Sequence, residues 1–423
     1  MKYKIGVAVV SLLIVIAGFL VLNFEKEDNI DKDKYSDNGL PAVGNLTSFD
    51  ESVNAFALKF YKEFHRDHED NNIFISPYSI FTALAMTYEG ARNTTAEEMK
   101  NVLSIEQDNE SFHRYMQMLY EYLNERSEYN ISTANALWPR VGYNLLQNYT
   151  NIIETYYGGK ISEVDYSKPE EAAGIINSWI ENKTNHLIKN LISPAAITPD
   201  TMLILTNAIY FKGIWKLQFD IANTTSREFK TPNGNIDVPM MQMVNTNNLF
   251  NYTENKEMQV LELPYSGDNI SMLIFLPKKS FNTSDIVEYL NETTFYNIID
   301  SMSEKKVDIY LPRFEIKTPM YELNKYLVNL GMPTAFSANA DFSGIDGVGG
   351  LSISQVLHKA FIKVDENGTE AAAATAVMFV TAVNGDSNSR IIFDCDHPFL
   401  FMIYHKQSNT ILFMGSIINP LLE

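Results

Sequence analysis

The spacing of hydrophobic residues near the start of this chain is helical. After a Ser-x-x-Glu capping pattern at Ser48, aromatic residues recur every four positions, at Phe56, Phe60 and Phe64. This spacing predicts a helix with one buried aromatic face, and it places the start of the globular body at about residue 48. The helical pattern continues over 79–88 and 95–103, the second after a Thr-x-x-Glu capping pattern.

Further along the chain the hydrophobic pattern changes to short apolar or alternating runs. These runs are rich in β-branched and aromatic residues, which is typical of strands. They are 203–211, 260–263, 270–276, 307–311, 356–364, 399–404 and 411–414. Turn-forming residues at 266–269 and 406–409 predict antiparallel hairpins. Helices followed by strands, without a repeat or a later linker, predict one α+β domain over 48–423.

The N-terminal residues predict export. Lys2 and Lys4 precede an uncharged apolar run, 5–22, and acidic residues follow it, which predicts that the body lies outside the membrane. The run is at the lower length limit of a spanning helix, so a signal anchor and a cleaved signal peptide both fit, with a buried core helix as a third interpretation. The polar residues 23–47 are predicted to be a flexible tether. We therefore expect an extracellular protein, secreted or anchored to the outer face of the membrane.

Composition and motifs exclude several functions. The chain has 33 Lys and Arg against 52 Asp and Glu, and this net charge of −19 argues against nucleic acid as a partner. The single cysteine, Cys395, excludes an intrachain disulfide and is interpreted as a semi-buried apolar residue. No G-x-S-x-G pattern occurs, and the glycines at 347–350 do not complete a phosphate-binding motif. His65 and His68 are interpreted as a polar, solvated helix end, so we predict neither an enzyme nor a metal site.

The stretch that follows residue 368 fits neither a stable helix nor an ordinary strand. Its alanines favour a helix, but the β-branched residues among them and the lack of an apolar stripe argue against one. In an extended conformation, one face would carry only small or apolar uncharged side chains: Thr369, Ala371, Ala373, Thr375, Val377 and Phe379. A segment of this kind could be exposed and still enter between two strands of an existing sheet.

From residue 48 to 420 the chain resembles the serpin family of protease inhibitors. The motifs that carry the resemblance are ISPYSI at 75–80, TNAIYFKG at 206–213, LPRF at 311–314, DFSGI at 341–345, VLHKA at 356–360, ENGTEA at 366–371, HPFLF at 397–401 and FMG at 413–415. The resemblance implies about nine helices, three β-sheets and an exposed reactive-centre loop at about 366–390. It also implies a monomer that needs no cofactor.

The resemblance implies a mechanism as well. In inhibitory serpins, a target serine protease cuts the loop, and the freed segment enters the central sheet while the protease is still covalently attached, in a one-to-one complex. Counting along the family pattern from Glu366 predicts the scissile bond Ala382–Val383, with a shift to Thr381 or Val383 left open. Small aliphatic residues there favour elastase-like or subtilisin-like proteases, and Arg390 is too far along to be the bait. A non-inhibitory serpin that acts as carrier, chaperone or storage protein is the alternative.

The family pattern assigns roles to individual positions. The hinge of the loop comprises Glu366, Gly368, Thr369, Glu370, Ala371, Ala372, Ala373 and Ala374. A polar network below the central sheet, where strands must part, comprises Ser76, Ser79, Asn207 and His358. His358 taken alone would be a buried core histidine, and only its match together with the other three favours this role. Trp215 and Arg313 are assigned to the top of the sheet, where Arg313 is predicted to pair with Glu366. Asn367 begins a glycosylation sequon within the hinge, and a glycan there would obstruct insertion.

Overall fold

The structure of this chain is a computed structural model that describes residues 47–124, 129–279, 282–369 and 390–422. Residues 1–22 and 23–46, predicted to direct export and to form the tether, lie outside the described residues. So do positions 370–389, which include the hinge residues from Glu370 to Ala374, the predicted bond Ala382–Val383 and the alternative Thr381. All of the described residues belong to one compact unit, Leu46–Glu423.

Ten α-helices lie within the described residues. They are α1 (Thr47–His65), α2 (Pro77–Tyr88), α3 (Asn93–Val102), α4 (Asn109–Asn124), α5 (Gln147–Tyr157), α6 (Pro169–Lys183), α7 (Thr283–Tyr289), α8 (Glu292–Ser301), α9 (Asn324–Leu330) and α10 (Ser343–Asp346). The aromatic face of α1 is confirmed, because Phe56, Phe60 and Phe64 are all fully buried. The predicted cap of α3 is wrong: this helix begins at Asn93, and the hydroxyl of Thr95 instead accepts a hydrogen bond from the backbone N–H of Asp341.

The strands confirm each of the predicted runs and add others. They are β1 (Ile73–Ile75), β2 (Tyr129–Pro139), β3 (Lys160–Ile161), β4 (Leu203–Ile214), β5 (Thr225–Thr231), β6 (Gly234–Met243), β7 (Phe250–Glu254), β8 (Met258–Pro264), β9 (Ile270–Pro277), β10 (Ser303–Lys305), β11 (Val307–Pro312), β12 (Phe314–Lys317), β13 (Tyr321–Glu322), β14 (Ile353–Asp365), β15 (Gly368–Thr369), β16 (Ile391–Asp394), β17 (Phe399–His405) and β18 (Thr410–Ile417). Both predicted hairpins, β8–β9 and β17–β18, are antiparallel pairs.

The strands form three sheets, as the resemblance implied. The central sheet has the order β12-β14-β15-β4-β2-β3, with β13 paired to β14. A second sheet has the order β1-β18-β17-β9-β8-β7-β10, and a small sheet has the order β16-β11-β6-β5. In the second sheet every residue of β9, β17 and β18 is buried, which explains why these strands are continuous apolar runs in the sequence.

The central sheet is covered on both faces. On one face, α6 and the residues after it pack on an apolar cluster that includes Trp138 of β2, Ile204 of β4 and Leu357 of β14. Because side chains alternate across a strand, the neighbouring positions Asn207 and His358 point to the opposite face, which α2 covers. The side that α2 covers is also largely apolar, with Leu205 and Val356 buried there, so Asn207 and His358 are polar residues within an apolar layer.

Two interpretations of single residues need correction. His65 lies at the end of α1, as predicted, but it is 3% exposed and its ring packs against Tyr61, so His65 is not solvated, whereas Arg66 and Asp67 directly after it are exposed. Cys395 is fully buried, not semi-buried, and desolvation raises the pKa of its thiol well above the usual range.

Within the described residues, no group of His, Cys, Asp and Glu side chains has a metal-binding arrangement. The same residues include no helix with both the length and the apolar character needed to cross a bilayer.

Candidate functional site

The candidate site lies along the line where β4 and β14 meet in the central sheet. From Ile353 to Phe361, β14 pairs directly with β4 in parallel. At the far end of the two strands the short strand β15 lies between them: Thr369 is in register with Val364 of β14 on one side and with Gly213 of β4 on the other. At this end, β14 and β4 are therefore separated by Gly368 and Thr369, which belong to the predicted loop.

Thr369 is held deep in this gap. Its side chain is fully buried, and its hydroxyl is hydrogen-bonded to the Tyr265 hydroxyl at 2.6 Å. The Tyr265 ring stacks on Trp215, with 4.4 Å between ring centroids. Gly368 has φ = +150°, and any side chain there would collide with the carbonyl oxygen of Gly213. This end of the gap therefore requires a glycine at position 368, where a side chain would collide, and fits a small hydroxyl residue at position 369.

The predicted ion pair of Arg313 and Glu366 is present beside β15. The Arg313 Nε donates to both carboxylate oxygens at 2.8 Å, and Nη2 lies 2.5 Å from Oε1. The hydroxyl of Thr224 also donates to this carboxylate. The Glu366 side chain is only 5% exposed, so this is not the weak surface pair that an exposed position would give. Burial raises the pKa of Glu366, but the hydrogen bonds from Arg313 and Thr224 outweigh it, and the pKa lies below its usual value.

Trp215 fixes the backbone that leads into the gap. Its indole Nε1 donates to the carbonyl of Asp365 at 3.0 Å, and its backbone N–H donates to the carbonyl of Asn367 at 2.9 Å. The backbone N–H of Phe219 donates to the carbonyl of Glu366 at 3.0 Å. We call residues 366–369 the entry segment, because β14 ends here and the described part of the loop begins.

Further down the same line, a polar network links β14, β4, β2 and α2. His358 and Asn207 are neighbours in register across the β14–β4 boundary. The backbone N–H of Ser76 donates to His358 Nε2 at 3.3 Å, which requires Nε2 to be unprotonated. The proton of the neutral ring is therefore on Nδ1, which donates to Asn207 Oδ1 at 2.5 Å. This hydrogen bond spans the boundary that an entering strand would have to open.

The network continues with consistent donors and acceptors. The Asn207 amide donates to Ser79 Oγ at 2.5 Å and to Asn135 Oδ1 at 2.6 Å, and the Ser79 hydroxyl donates to the same Asn135 oxygen at 2.8 Å. Ser76 closes the lower end by donating to the carbonyl of Leu412 at 2.7 Å. All four residues predicted for this network are thus brought together. Sequence reasoning missed Asn135, although a lone amide between Ala134 and Ala136 in a buried strand was a usable signal.

Electrostatics keep the network neutral. His358 is fully buried, and desolvation lowers the pKa of its ring to about 3. A second proton would sit on Nε2, opposite the N–H of Ser76, and would break that contact. The network holds strands together without burying a net charge.

These features define a class of protein in which a short strand that directly follows β14 lies between β14 and β4 at one end of their boundary. The gap between β4 and β14 is open at one end, and a neutral hydrogen-bonded network holds it closed below. The residues that enter it come from the same chain, directly after β14.

Comparisons with known proteins identify the family. Residues 51–420 match the family described as Serpin (serine protease inhibitor). An uncharacterised serpin-like protein of Thermococcus kodakarensis is 42% identical over 374 residues, which cover 87% of this chain and 85% of that protein. Serpin B4 of Homo sapiens is 37% identical, over 89% of this chain and 100% of that protein. Serpin48 of the insect Tenebrio molitor has a crystal structure that matches with a TM-score of 0.80 at 31% identity, over 89% of this chain and 99% of that one.

The chain therefore belongs to the serpin family, and the expected serpin fold is confirmed. Serpins are generally protease inhibitors and not catalytic enzymes, and they generally form complexes with target proteases. Those predicted site residues that the structure describes lie in two places along the β14–β4 boundary. The entry segment, Trp215 and Arg313 lie at one end, and the polar network lies below them.

Proposed function

We propose that this serpin is a suicide inhibitor of extracellular serine proteases with elastase-like or subtilisin-like specificity, and that it is cut at Ala382–Val383. The observation that carries the proposal is the double pairing of β15 with β14 and β4. Gly368 and Thr369 already lie between β14 and β4. In the proposed insertion, the residues that follow them would separate the directly paired part of β14 and β4 and add to the same strand. The uncharged face of the following sequence suits the same position.

Insertion of the remaining segment supplies the free energy for inhibition. Each inserted residue gains backbone hydrogen bonds to strands on both sides, at about 1 kcal/mol per bond, and buries apolar surface. For about a dozen residues the gain is roughly 10 kcal/mol or more. The His358–Asn207 hydrogen bond has to open during insertion, and its loss is small compared with this gain.

The covalent step is that of the target protease. Its serine oxygen attacks the carbonyl carbon of Ala382, the bond to the Val383 nitrogen breaks, and the leaving amine takes up the serine proton by way of the protease's general base. Insertion then moves the acylated protease with the cut end. Because a misplacement of about 1 Å in an active site can reduce the rate on the order of a hundredfold, hydrolysis of the acyl bond stalls.

The sequence supports the proposed protease specificity and the proposed extracellular location. Small aliphatic residues around Ala382 fit a narrow apolar specificity pocket, whereas trypsin-like proteases require Arg or Lys. The run 5–22 supports export, with the inhibitor either released or held at the outer face of the membrane. We also propose that Asn367 carries no glycan in the active form, because a glycan there would obstruct insertion of the segment that follows it.

Incubation of the purified protein with pancreatic elastase and with subtilisin tests the proposal. We expect a covalent complex that survives denaturing electrophoresis, and a released C-terminal peptide whose mass places the cut after Ala382. Trypsin is the control, and we expect no complex with it. Clean cleavage without any complex would contradict the proposal and favour a carrier, chaperone or storage role.

A further inference from the structure

Asp50, in the first turn of α1, is a buried carboxyl group that pairs with no described cation. Only 6% of the residue is exposed. Its Oδ1 is fully enclosed and has no hydrogen-bond partner among the described residues. Its Oδ2 accepts one long hydrogen bond, of 3.5 Å, from the Tyr296 hydroxyl of α8. A buried carboxyl in such a place is costly when it is charged and is tolerated when it is neutral.

The elements packed around Asp50 contribute hydroxyl groups and a further acid. Tyr296 comes from α8 and Tyr115 from α4, and burial together with the charge of Asp50 raises the pKa of both phenols. On β18, the Thr410 hydroxyl bonds the Tyr115 hydroxyl at 3.2 Å. Glu51, the next residue of α1, adds a second negative charge. The charged neighbour therefore opposes the ionisation of Asp50, and the other groups are neutral near pH 7.

Burial decides the protonation state of this carboxyl. The N–H groups at the start of α1 favour the charged form, as helix N-termini do. The loss of water outweighs them, and it raises the pKa of Asp50 to about 7, well above the ordinary value of an aspartate. Asp50 is therefore mostly protonated below pH 7 as long as it stays buried, and it is charged once it reaches water.

The same end of α1 is fastened to the β17–β18 hairpin by Asn54. Its Nδ2 donates to the carbonyl of Asn409 at 2.9 Å and to the Tyr296 hydroxyl at 3.0 Å. Its Oδ1 accepts the backbone N–H of Ile411 at 2.8 Å. Asp50 and Asn54 are four residues apart and lie on one face of the helix, where both contact the Tyr296 hydroxyl. This hydroxyl therefore links the carboxyl to the contacts that hold the start of α1.

We propose that Asp50 is a proton-operated catch: the first turn of α1 stays packed against α8 and β18 while the carboxyl is protonated, and it opens when the carboxyl is ionised. Opening lets the charged group reach water, whereas the closed turn would keep a charge buried without a cation. The catch does not involve the reactive loop, so it is independent of the proposed inhibition.

The pH dependence of the catch follows from the two forms of the turn. In the open form Asp50 ionises near pH 4, and in the closed form only near pH 7. Between these values the open form releases a proton that the closed form keeps, so opening should become about tenfold more favourable per pH unit. Above about pH 7 both forms are ionised and the effect should level off. A move from neutral to mildly acidic surroundings thus fastens the turn.

Hydrogen exchange of the uncut, full-length protein, followed by mass spectrometry, tests the catch. Exchange at the start of α1 is measured between pH 5 and pH 8 and is corrected for the intrinsic pH dependence of amide exchange. Peptides from β17 are the internal reference, because every residue of this strand is buried and its amides are expected to exchange only on global unfolding. The variants are Asp50→Asn, which cannot ionise, and Glu51→Gln, a matched control at an exposed neighbour.

We expect opening of the first turn to increase at least about tenfold from pH 5 to pH 7 in the wild type and in Glu51→Gln. From pH 7 to pH 8 it should increase by no more than about twofold. Asp50→Asn should show the same low opening at every pH. A wild-type profile that is level relative to β17, or an Asp50→Asn profile with the wild-type slope, would overturn the proposal.

Tyr296→Phe keeps the test decisive if Asp50→Asn fails to fold. This variant removes the hydroxyl that donates to Asp50 and favours its ionised form. The closed form should then ionise at a higher pH, so the increase in opening should continue from pH 7 to pH 8. A profile identical to that of the wild type would count against the catch. These outcomes do not depend on whether the protein inhibits elastase.

Discussion

The two segments that flank the reactive loop are built differently. The entry segment ends in Gly368 and a fully buried Thr369, and these two residues pair with strands of the central sheet on both sides. Residues 390–396 follow the loop, and we call them the C-terminal anchor; their strand β16 is paired on one side only, with β11, and ion pairs between side chains hold it. Backbone pairing can be extended one residue at a time, whereas an ion pair is either formed or broken. In the proposed function, the entry segment is the end from which insertion proceeds, and the C-terminal anchor stays in place.

Cutting the loop should have the largest effect, because it separates the two ends. We expect a nick near Ala382 to raise the free energy of unfolding by roughly 10 kcal/mol, through insertion of the freed strand. Thermal unfolding of nicked and intact protein measures this difference. An unchanged unfolding midpoint after a complete nick would contradict insertion.

Blocking the entry segment should remove inhibition without removing cleavage. Thr369→Arg would have to bury an unpaired charge between β14 and β4, which is strongly unfavourable. We expect target protease to cut this variant without forming a stable complex, so that the amount of inhibitor needed per protease molecule rises at least about tenfold. Titration of elastase activity measures that ratio.

Thr369→Ser is the matched control for this variant, because serine keeps the hydroxyl that bonds Tyr265. It should inhibit nearly as well as the wild type. A full yield of complex from Thr369→Arg would show that the entry segment need not be buried during inhibition.

The polar network below the entry segment should give a smaller, pH-dependent effect. The pKa of His358 is about 3 in the folded protein, below its ordinary value, because the ring is desolvated. The unfolded chain therefore binds a proton at His358 as the pH falls below about 6.5, whereas the folded chain binds it only near pH 3. The free energy of unfolding therefore falls as the pH drops from about 6.5 toward 3. The slope is at most about 1.4 kcal/mol per pH unit. Denaturant unfolding at pH 7 and pH 5 measures it.

His358→Gln should show a flatter dependence than the wild type over this range. Other buried groups titrate in the same pH range. Burial raises the pKa of Asp50 to about 7, which opposes the trend, and burial lowers the pKa of His65, which adds to it. Asp50 and His65 are present in both the wild type and His358→Gln, so their contributions cancel in the difference between the two pH profiles. Identical pH profiles would mean that His358 is not kept neutral by its surroundings.

Much of the architecture follows from local patterns. The four-residue spacing of Phe56, Phe60 and Phe64 is enough to predict α1, and turn residues between apolar runs are enough to predict the hairpins β8–β9 and β17–β18. These predictions hold because helix period and turn chemistry depend on neighbours in the sequence. The cap predicted at Thr95 fails for the opposite reason: its hydroxyl bonds to Asp341, a residue distant in the sequence.

Burial and pairing partners depend on distant residues as well. His65 looked solvated among charged neighbours, yet packing against Tyr61 and other elements buries it. Asn135 joins the network only because β2 and β4 are in a register that places it beside Asn207. Arg390 gains its partner Asp308 because β16 lies beside β11.

By itself, the sequence determined the α+β class, the family, and a run of small uncharged residues able to become a strand, because these depend on residue type and on spacing along the chain. Only the tertiary structure decided that Gly368 and Thr369 already lie between β4 and β14, and that the anchor is fastened by ion pairs. The physical reason is that strand neighbours and buried charge partners are set by how distant segments pack together, and that packing is a property of the whole fold.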